Sequence, residues 1–175
     1  MSSQVRRILL LPLVAVGLMV TLILATATSS QAQTVVRHPI PNSSFPIALA
    51  VEVPADQTVV YLSGQVPSVV NPDAPEDSIE AYGDTKTQTI NVLTKIDEIL
   101  QGLDLSMSDV VKMQVFLVGD PSKDGKMDFS GFMEGYTQFF GTEAQPNLPA
   151  RSAMQISGLV SPGWLVEIEV AAVRS

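Results

Sequence analysis

The sequence predicts an α+β domain in which one sheet carries two helices on one face. Two stretches, one opening after Asp84 and one after Asp128, repeat apolar residues at helical spacing. Five segments rich in β-branched and aromatic residues surround them, in the order β-β-α-β-α-β-β. The last segment alternates cleanly: Trp164, Val166, Ile168 and Val170 point one way, and Leu165, Glu167, Glu169 and Ala171 the other.

Each element has local reasons. Pro39, Pro41 and Pro46 predict an extended lead-in, and residues 33–45 are read as an extended N-terminal segment ahead of a domain over 46–175. Ile47 to Val53 is an apolar strand, ended by the turn Pro54-Ala55-Asp56. Thr58 to Val66 is a second strand, closed by Pro67. Ser68 to Gly83, with Pro72, Pro75 and four acids, reads as an exposed loop. Asp84 caps a helix whose apolar stripe is Ile90, Leu93, Ile96, Ile99, Leu100 and Leu103, with Gly102 marking its end. Val110 to Val118 is a strand, followed by a polar loop to Lys126. Asp128 caps the second helix, striped by Phe129, Phe132, Met133, Tyr136, Phe139 and Phe140 and stopped by Gly141. Arg151 to Leu159 is a strand, and Ser161-Pro162-Gly163 turns into the last one. In that last strand the face opposite the helices carries two carboxylates beside apolar residues, and a partner subunit is the economical cover for it.

The first 32 residues read as a signal peptide. Arg6 and Arg7 precede an uncharged apolar run, Ile8 to Ala25, and Ser30-Gln31-Ala32 places small residues for cleavage after Ala32. The expected location is periplasmic or secreted; an uncleaved segment would instead be a membrane anchor. Cleavage removes two arginines and no acid. It leaves eight basic against eighteen acidic residues, a net charge of −10. Such a surface repels nucleic acid and anionic membranes. The absence of cysteine excludes a disulfide framework.

Little in the chain supports metal or triad chemistry. There is one histidine, His38, read as a tail residue, so a zinc site lacks ligands. Asp120, Asp124 and Asp128 around Gly125 lack calcium-loop spacing and read as turn and cap residues. No Gly-rich phosphate loop is present, and no serine has a histidine or cysteine to form a triad. Arginine is scarce after residue 33: Arg37, Arg151 and Arg174. Arg151, among small neighbours, suits bidentate binding of a planar carboxylate. The alternative is a structural salt bridge, to Glu169 or to a partner subunit. Glu167, on an otherwise apolar strand, is either a proton-transfer group facing a cleft or an edge-strand surface charge.

Several segments resemble the RidA/YjgF family in order. Val60-Tyr61-Leu62-Ser63-Gly64-Gln65-Val66-Pro67 is similar to its strand-and-turn signature, and Gln88 to Leu103 to its first helix. Asp109 to Leu117 resembles its central strand, and Phe129 to Phe140 its second helix. Pro149-Ala150-Arg151-Ser152 and Leu165 to Val170 resemble its two C-terminal signatures. The resemblance spans roughly Pro46 to Arg174.

This resemblance implies a chorismate-mutase-like fold, one mixed sheet assembled as a homotrimer, with active sites between subunits. It implies hydrolysis of reactive imines or enamines to keto acids and ammonia, with no cofactor and no metal. Arg151 matches the arginine that holds the substrate carboxylate, and Glu167 the glutamate that helps place the attacking water. Gly64 lies in the turn lining the pocket, and the backbone carbonyl of Ala153 would contact the water or imine nitrogen. Ile47 and Met133 stand where the family has a pocket tyrosine and asparagine. Both changes remove hydrogen bonds and add apolar surface, so the expectation is a more apolar ligand, or weakened or lost activity. A non-catalytic trimer that binds a small carboxylate is the alternative. Ser68 to Gly83 is longer than the family's turn and is expected to cover the cleft.

Overall fold

The structure, a computed structural model, describes residues 34–174. The signal-peptide reading therefore lies outside the described residues. Six strands form one mixed sheet in the order β1-β2-β5-β4-β6-β3. They are β1 (Val36–Pro39), β2 (Ala48–Glu52), β3 (Thr58–Gln65), β4 (Val110–Val118), β5 (Ala150–Ile156) and β6 (Val166–Arg174). The central pair β4–β5 is parallel, as is the short β2–β5 contact; the remaining pairs are antiparallel. Three α-helices accompany them: α1 (Ile79–Tyr82), α2 (Thr85–Gly102) and α3 (Phe129–Tyr136). Among the described residues no helix is long and apolar enough to cross a membrane.

One hydrophobic core lies between the sheet and the pair α2, α3. Val92, Leu93, Ile96 and Leu100 of α2 and Phe132 and Tyr136 of α3 meet Met113, Val115 and Leu117 of β4 and Val166, Ile168 and Val170 of β6. The caps read from the sequence form: the Asp84 carboxylate accepts from Thr87 N at 2.8 Å, and Asp128 accepts from Gly131 N at 3.0 Å. Asp120 likewise accepts from Ser122 N, and Asp124 takes a left-handed φ of 57° in the same turn. The opposite face of the sheet holds a smaller apolar cluster, Val111, Ala171 and Val173 with Val35, Val51, Val53 and Val59. Tyr61, on the same β3 edge, is 80% exposed.

Several expectations need correction. The lead-in is not wholly extended coil: Val36–Pro39 pairs with β2, and His38, read as a tail residue, contacts Glu52 at 2.7 Å. The loop 68–83 carries the short helix α1, which is too brief to show periodicity. Gly102 remains helical; the chain leaves α2 through Leu103 and the left-handed Asp104 (φ 55°), so Leu103 is 40% exposed rather than in the stripe. The stripe takes in Thr85, Gln88 and Thr89 instead. Phe139 and Phe140 follow α3 in a turn stopped by Gly141 (φ 74°). β6 opens at Val166, so Trp164 and Leu165 belong to its approach, and the Leu165 side chain is buried in the core rather than on the opposite face.

Gln88 explains how the loop, the last turn and α2 stay together. Its fully buried amide donates to Gly83 O and Gly163 O, each at 2.9 Å, and accepts from Leu165 N at 2.7 Å. Gly163 fits only as glycine, because a Cβ there would press on Ser78 O and the Tyr82 ring. Tyr82 packs edge-on to Trp164, with ring centroids 6.2 Å apart. Gln88→Leu leaves buried backbone groups without partners, so we expect a stability loss of about 2–4 kcal/mol in urea denaturation. A loss under about 0.5 kcal/mol would show that the pin is dispensable.

Candidate functional site

Arg151 lies on β5 in register with Met113 of β4, and Ala153 with Val115. Since Met113 and Val115 face the helices, Arg151 and Ala153 point beneath α3. There the guanidinium carbon sits 4.2 Å from the ring centroid of Tyr136, 4.9 Å from Phe132, 5.6 Å from Phe45 and 6.0 Å from Phe129. Nη2 contacts the Met133 sulfur at 3.3 Å, while Nη1 is buried and has no hydrogen-bond partner. The Tyr136 hydroxyl donates to Pro46 O at 2.9 Å, and Ile47 N donates to Phe45 O at 2.8 Å. The Phe45-Pro46-Ile47 turn is thereby tied to the wall of the same box.

The electrostatics are those of a cation lacking its anion. Among the described residues the ion pairs are His38–Glu52, Lys86–Glu134 and Lys123–Asp128; none involves Arg151. The salt bridge to Glu169 is not formed, because Glu169 pairs with Gln114 on the opposite face of the sheet. Cation–π contacts return about 0.5–2 kcal/mol each, against a desolvation penalty of several kcal/mol for an unpaired buried ion. Burial lowers the Arg151 pKa, partly offset by the Tyr136 hydroxyl, yet a guanidinium stays charged at neutral pH. Burial also pushes the Tyr136 phenol up to about 12, with Arg151 pulling it back.

Beside this box lies an open strand edge. β2 meets β5 only at Ala48↔Ala150. The carbonyl of Pro149 accepts from Ala48 N at 3.0 Å. By strand alternation the carbonyls of Arg151 and Ala153 face the same edge, beyond the reach of that pairing. Among the described residues the Ala153 carbonyl is therefore left open on that edge.

Glu167 and Gly64 form a second constellation. Glu167 is half-buried on β6, in register with Phe116. Gly64 lies in the bulge where β3 skips register against β6, between Leu62↔Val170 and Gln65↔Ile168. A Cβ on Gly64 would collide with the Glu167 carboxylate, so glycine makes room for it. This carboxylate is on the face opposite the helices. Within one chain the structure brings Arg151, Ala153, Met133 and the Ile47 turn together, and Gly64 with Glu167, but it puts the two groups on opposite faces of the sheet.

The sequence places Phe129, Phe132 and Tyr136 in a core stripe and gives Phe45 no role of its own. A scarce arginine two residues after a proline, with aromatics at i, i+3 and i+7 on the preceding helix, is the signal for the box. A groove of about 640 Å³ elsewhere is lined by Arg37, Asp56, Ser108, Asp109, Asn147 and Arg174, among others. It is the weaker candidate, because Arg37 is already committed to the carbonyls of Ser108, Val110 and Leu148. No group of three or more potential metal ligands occurs among the described residues.

A family profile described as Endoribonuclease L-PSP matches residues 43–174. A protein of Escherichia coli K12 named "Putative reactive intermediate deaminase TdcF" is 36% identical over 118 residues, covering 67% of this chain and 81% of its own. A RutC family protein of Pyrococcus horikoshii is 35% identical over 115 residues, covering 66% of this chain and 79% of its own. The crystal structure of E. coli TdcF with bound serine matches at a TM-score of 0.52 and 30% identity, covering 82% of this chain and 99% of that one.

The Tyr136 shift predicts an alkaline signature. Its folded pKa lies above the unfolded value of 10.0, so the stability it supports is intact below pH 10 and lost as pH rises towards about 12. Denaturation from pH 9 to 12 should show wild type losing about 2 kcal/mol more than Tyr136→Phe. Parallel curves would mean that the phenol ionises in the folded state as readily as in the unfolded one.

Proposed function

The chain belongs to the RidA/YjgF family, the endoribonuclease L-PSP family of the profile, and from that premise we propose that it hydrolyses reactive 2-imino acids and their enamine tautomers to 2-oxo acids and ammonia. The observation that carries the reading is the Arg151 guanidinium, buried with an unpartnered Nη1 and, among the described residues, no carboxylate within ion-pair distance. An anionic ligand restores the missing charge. The serine-bound relative supports a ligand with an amino-acid carboxylate.

In the proposed reaction Arg151 holds the carboxylate. The protonated imine carbon, already electrophilic, takes water directly. Glu167 removes a proton from that water as the C–O bond forms and returns it to the nitrogen. The C–N bond then breaks as the hydroxyl gives its proton to Glu167, leaving the keto acid and ammonia, which takes that proton and departs as ammonium. The Ala153 carbonyl accepts from the water or the imine N–H, and Gly64 leaves space for the Glu167 carboxylate. The site consumes only water, so its task is registration of two reactants. Because Arg151 and Glu167 lie on opposite faces, the proposal requires Glu167 and Gly64 from one copy to meet Arg151 from another. A homotrimer with sites between subunits supplies this geometry, and the apolar face with Tyr61, Val59 and Val111 is the surface to be covered. We place the mature protein, residues 33–175, in the periplasm or outside the cell.

The second reading is a non-catalytic assembly that binds a small carboxylate. It is favoured by Met133 lying against Arg151 where the family resemblance expects an amide. The deciding assay generates imines with an amino-acid oxidase and traps survivors with semicarbazide. Wild type should suppress trapping, and Arg151→Ala should lose at least about 100-fold while light scattering shows an unchanged assembly. Loss of the assembly in that variant would make Arg151 structural, and no suppression by wild type with any imine would favour the binding reading. Gly64→Ala should mimic Glu167→Gln, lowering kcat by about 10- to 100-fold. Full activity in Gly64→Ala would detach Glu167 from the reaction.

A further inference from the structure

The geometry points to selectivity for 2-imino acids that carry a bulky apolar side chain, set by Met133 and Phe45 of the box around Arg151. The inference rests on the carboxylate-binding role proposed for Arg151 and names what else that site accepts. A carboxylate held at Nη1 leaves the substituent carbon of the acid only two bonds from the carboxylate carbon. It must therefore lie close to the rim of the box, whose ring centroids are 4.2 to 6.0 Å from the guanidinium carbon and where Phe45 and Met133 keep accessible surface.

What those walls offer is one-sided. Phe45, Phe129 and Phe132 present carbon, and Met133 presents a thioether already in contact with Nη2. The single hydroxyl of the box, on Tyr136, is donated to Pro46 O. The side chains that line the box leave a polar substituent such as a hydroxymethyl group no free hydrogen-bond partner, and the open Ala153 carbonyl is taken by the water or imine N–H in the proposed reaction, so that substituent is desolvated without return. An aromatic or branched substituent instead covers Phe45, which is 39% exposed, and the half-buried Met133. Phe45 is fixed for that role: its ring stacks on Phe129 with centroids 6.4 Å apart, and the turn behind it is tied through Pro46 O to Tyr136.

The test has two arms on the mature protein. In the first, kcat/KM is compared for imines generated from leucine, methionine and phenylalanine against those from alanine and serine. Wild type should favour the bulky set by about tenfold or more. Met133→Leu, which keeps the apolar wall, should retain the preference, and Met133→Asn should reduce it to within about threefold by readmitting polar imines. Equal or better turnover of the serine and alanine imines by wild type overturns the inference, as does an unchanged preference in both Met133→Asn and Phe45→Ala. The second arm measures calorimetric binding of phenylpyruvate and 4-methyl-2-oxopentanoate against pyruvate, with Arg151→Ala as control. If no imine is hydrolysed but the bulky oxo acids bind more tightly through Arg151, the deaminase reading fails and the selectivity stands. If the oxo acids bind without regard to side chain, the selectivity fails whatever the turnover.

Discussion

The contact between Arg151 and its aromatic box organises the functional half of this fold. A guanidinium is held under α3 among Phe45, Phe129, Phe132 and Tyr136, with a thioether on one side and, among the described residues, no carboxylate within ion-pair distance. Delocalised charge over ring faces is tolerable where a compact ammonium would not be. The arrangement still leaves net positive charge in a chain that is otherwise strongly acidic. Around it, the Tyr136 hydroxyl fixes the Phe45-Pro46-Ile47 turn, and that turn leads into β2, which covers only the first residue of β5. The open carbonyl edge at Ala153 thus follows from the same packing that seats the cation.

The sheet divides the site. Register with Met113 and Val115 sends Arg151 and Ala153 under the helices, whereas register with Phe116 sends Glu167 to the far face, where the β3 bulge at Gly64 receives its carboxylate. One chain therefore has the Arg151 box on one face and the Glu167 carboxylate on the other. The proposed deaminase needs both at one reacting carbon, and contact between copies is the route by which the two halves meet. Gln88 matters here too, because it fixes Leu165 N, two residues before Glu167, to the end of the α1 loop. The loop 68–83 is accordingly a folded brace on the turn preceding β6, with Val70 and Asn71 N–H groups closing onto Ala81 O.

Much of the architecture was legible because it rests on strong local signals. The Asp84 and Asp128 caps, the alternation of β6 and the run Val110 to Val118 each state their geometry in a few residues. Short elements were not legible: four residues in β1 and four in α1 owe their form to what they pack on rather than to pattern. Gln88 was invisible for a similar reason, since a polar residue inside a helical stripe reads as solvent-facing until its three backbone partners, up to 77 residues away, are in place. At the site, Arg151 stood out through scarcity and Glu167 through its apolar strand. Glu167's place on the face opposite the helices was legible from the alternation of β6, but Arg151's place under α3 was not, because it depends on which residues of β5 pair with β4.

That separation is the claim most open to direct trial. Arg151→Ala and Glu167→Gln, each assayed alone for imine hydrolysis, should be impaired by at least about 100-fold and by about 10- to 100-fold respectively. Unfolded together and refolded as mixed assemblies, they should recover activity, about one quarter of wild type for random mixing, because some interfaces then pair an intact Arg151 with an intact Glu167. Mixed assemblies that form but stay inactive would contradict a site shared between copies and would return both residues to structural roles.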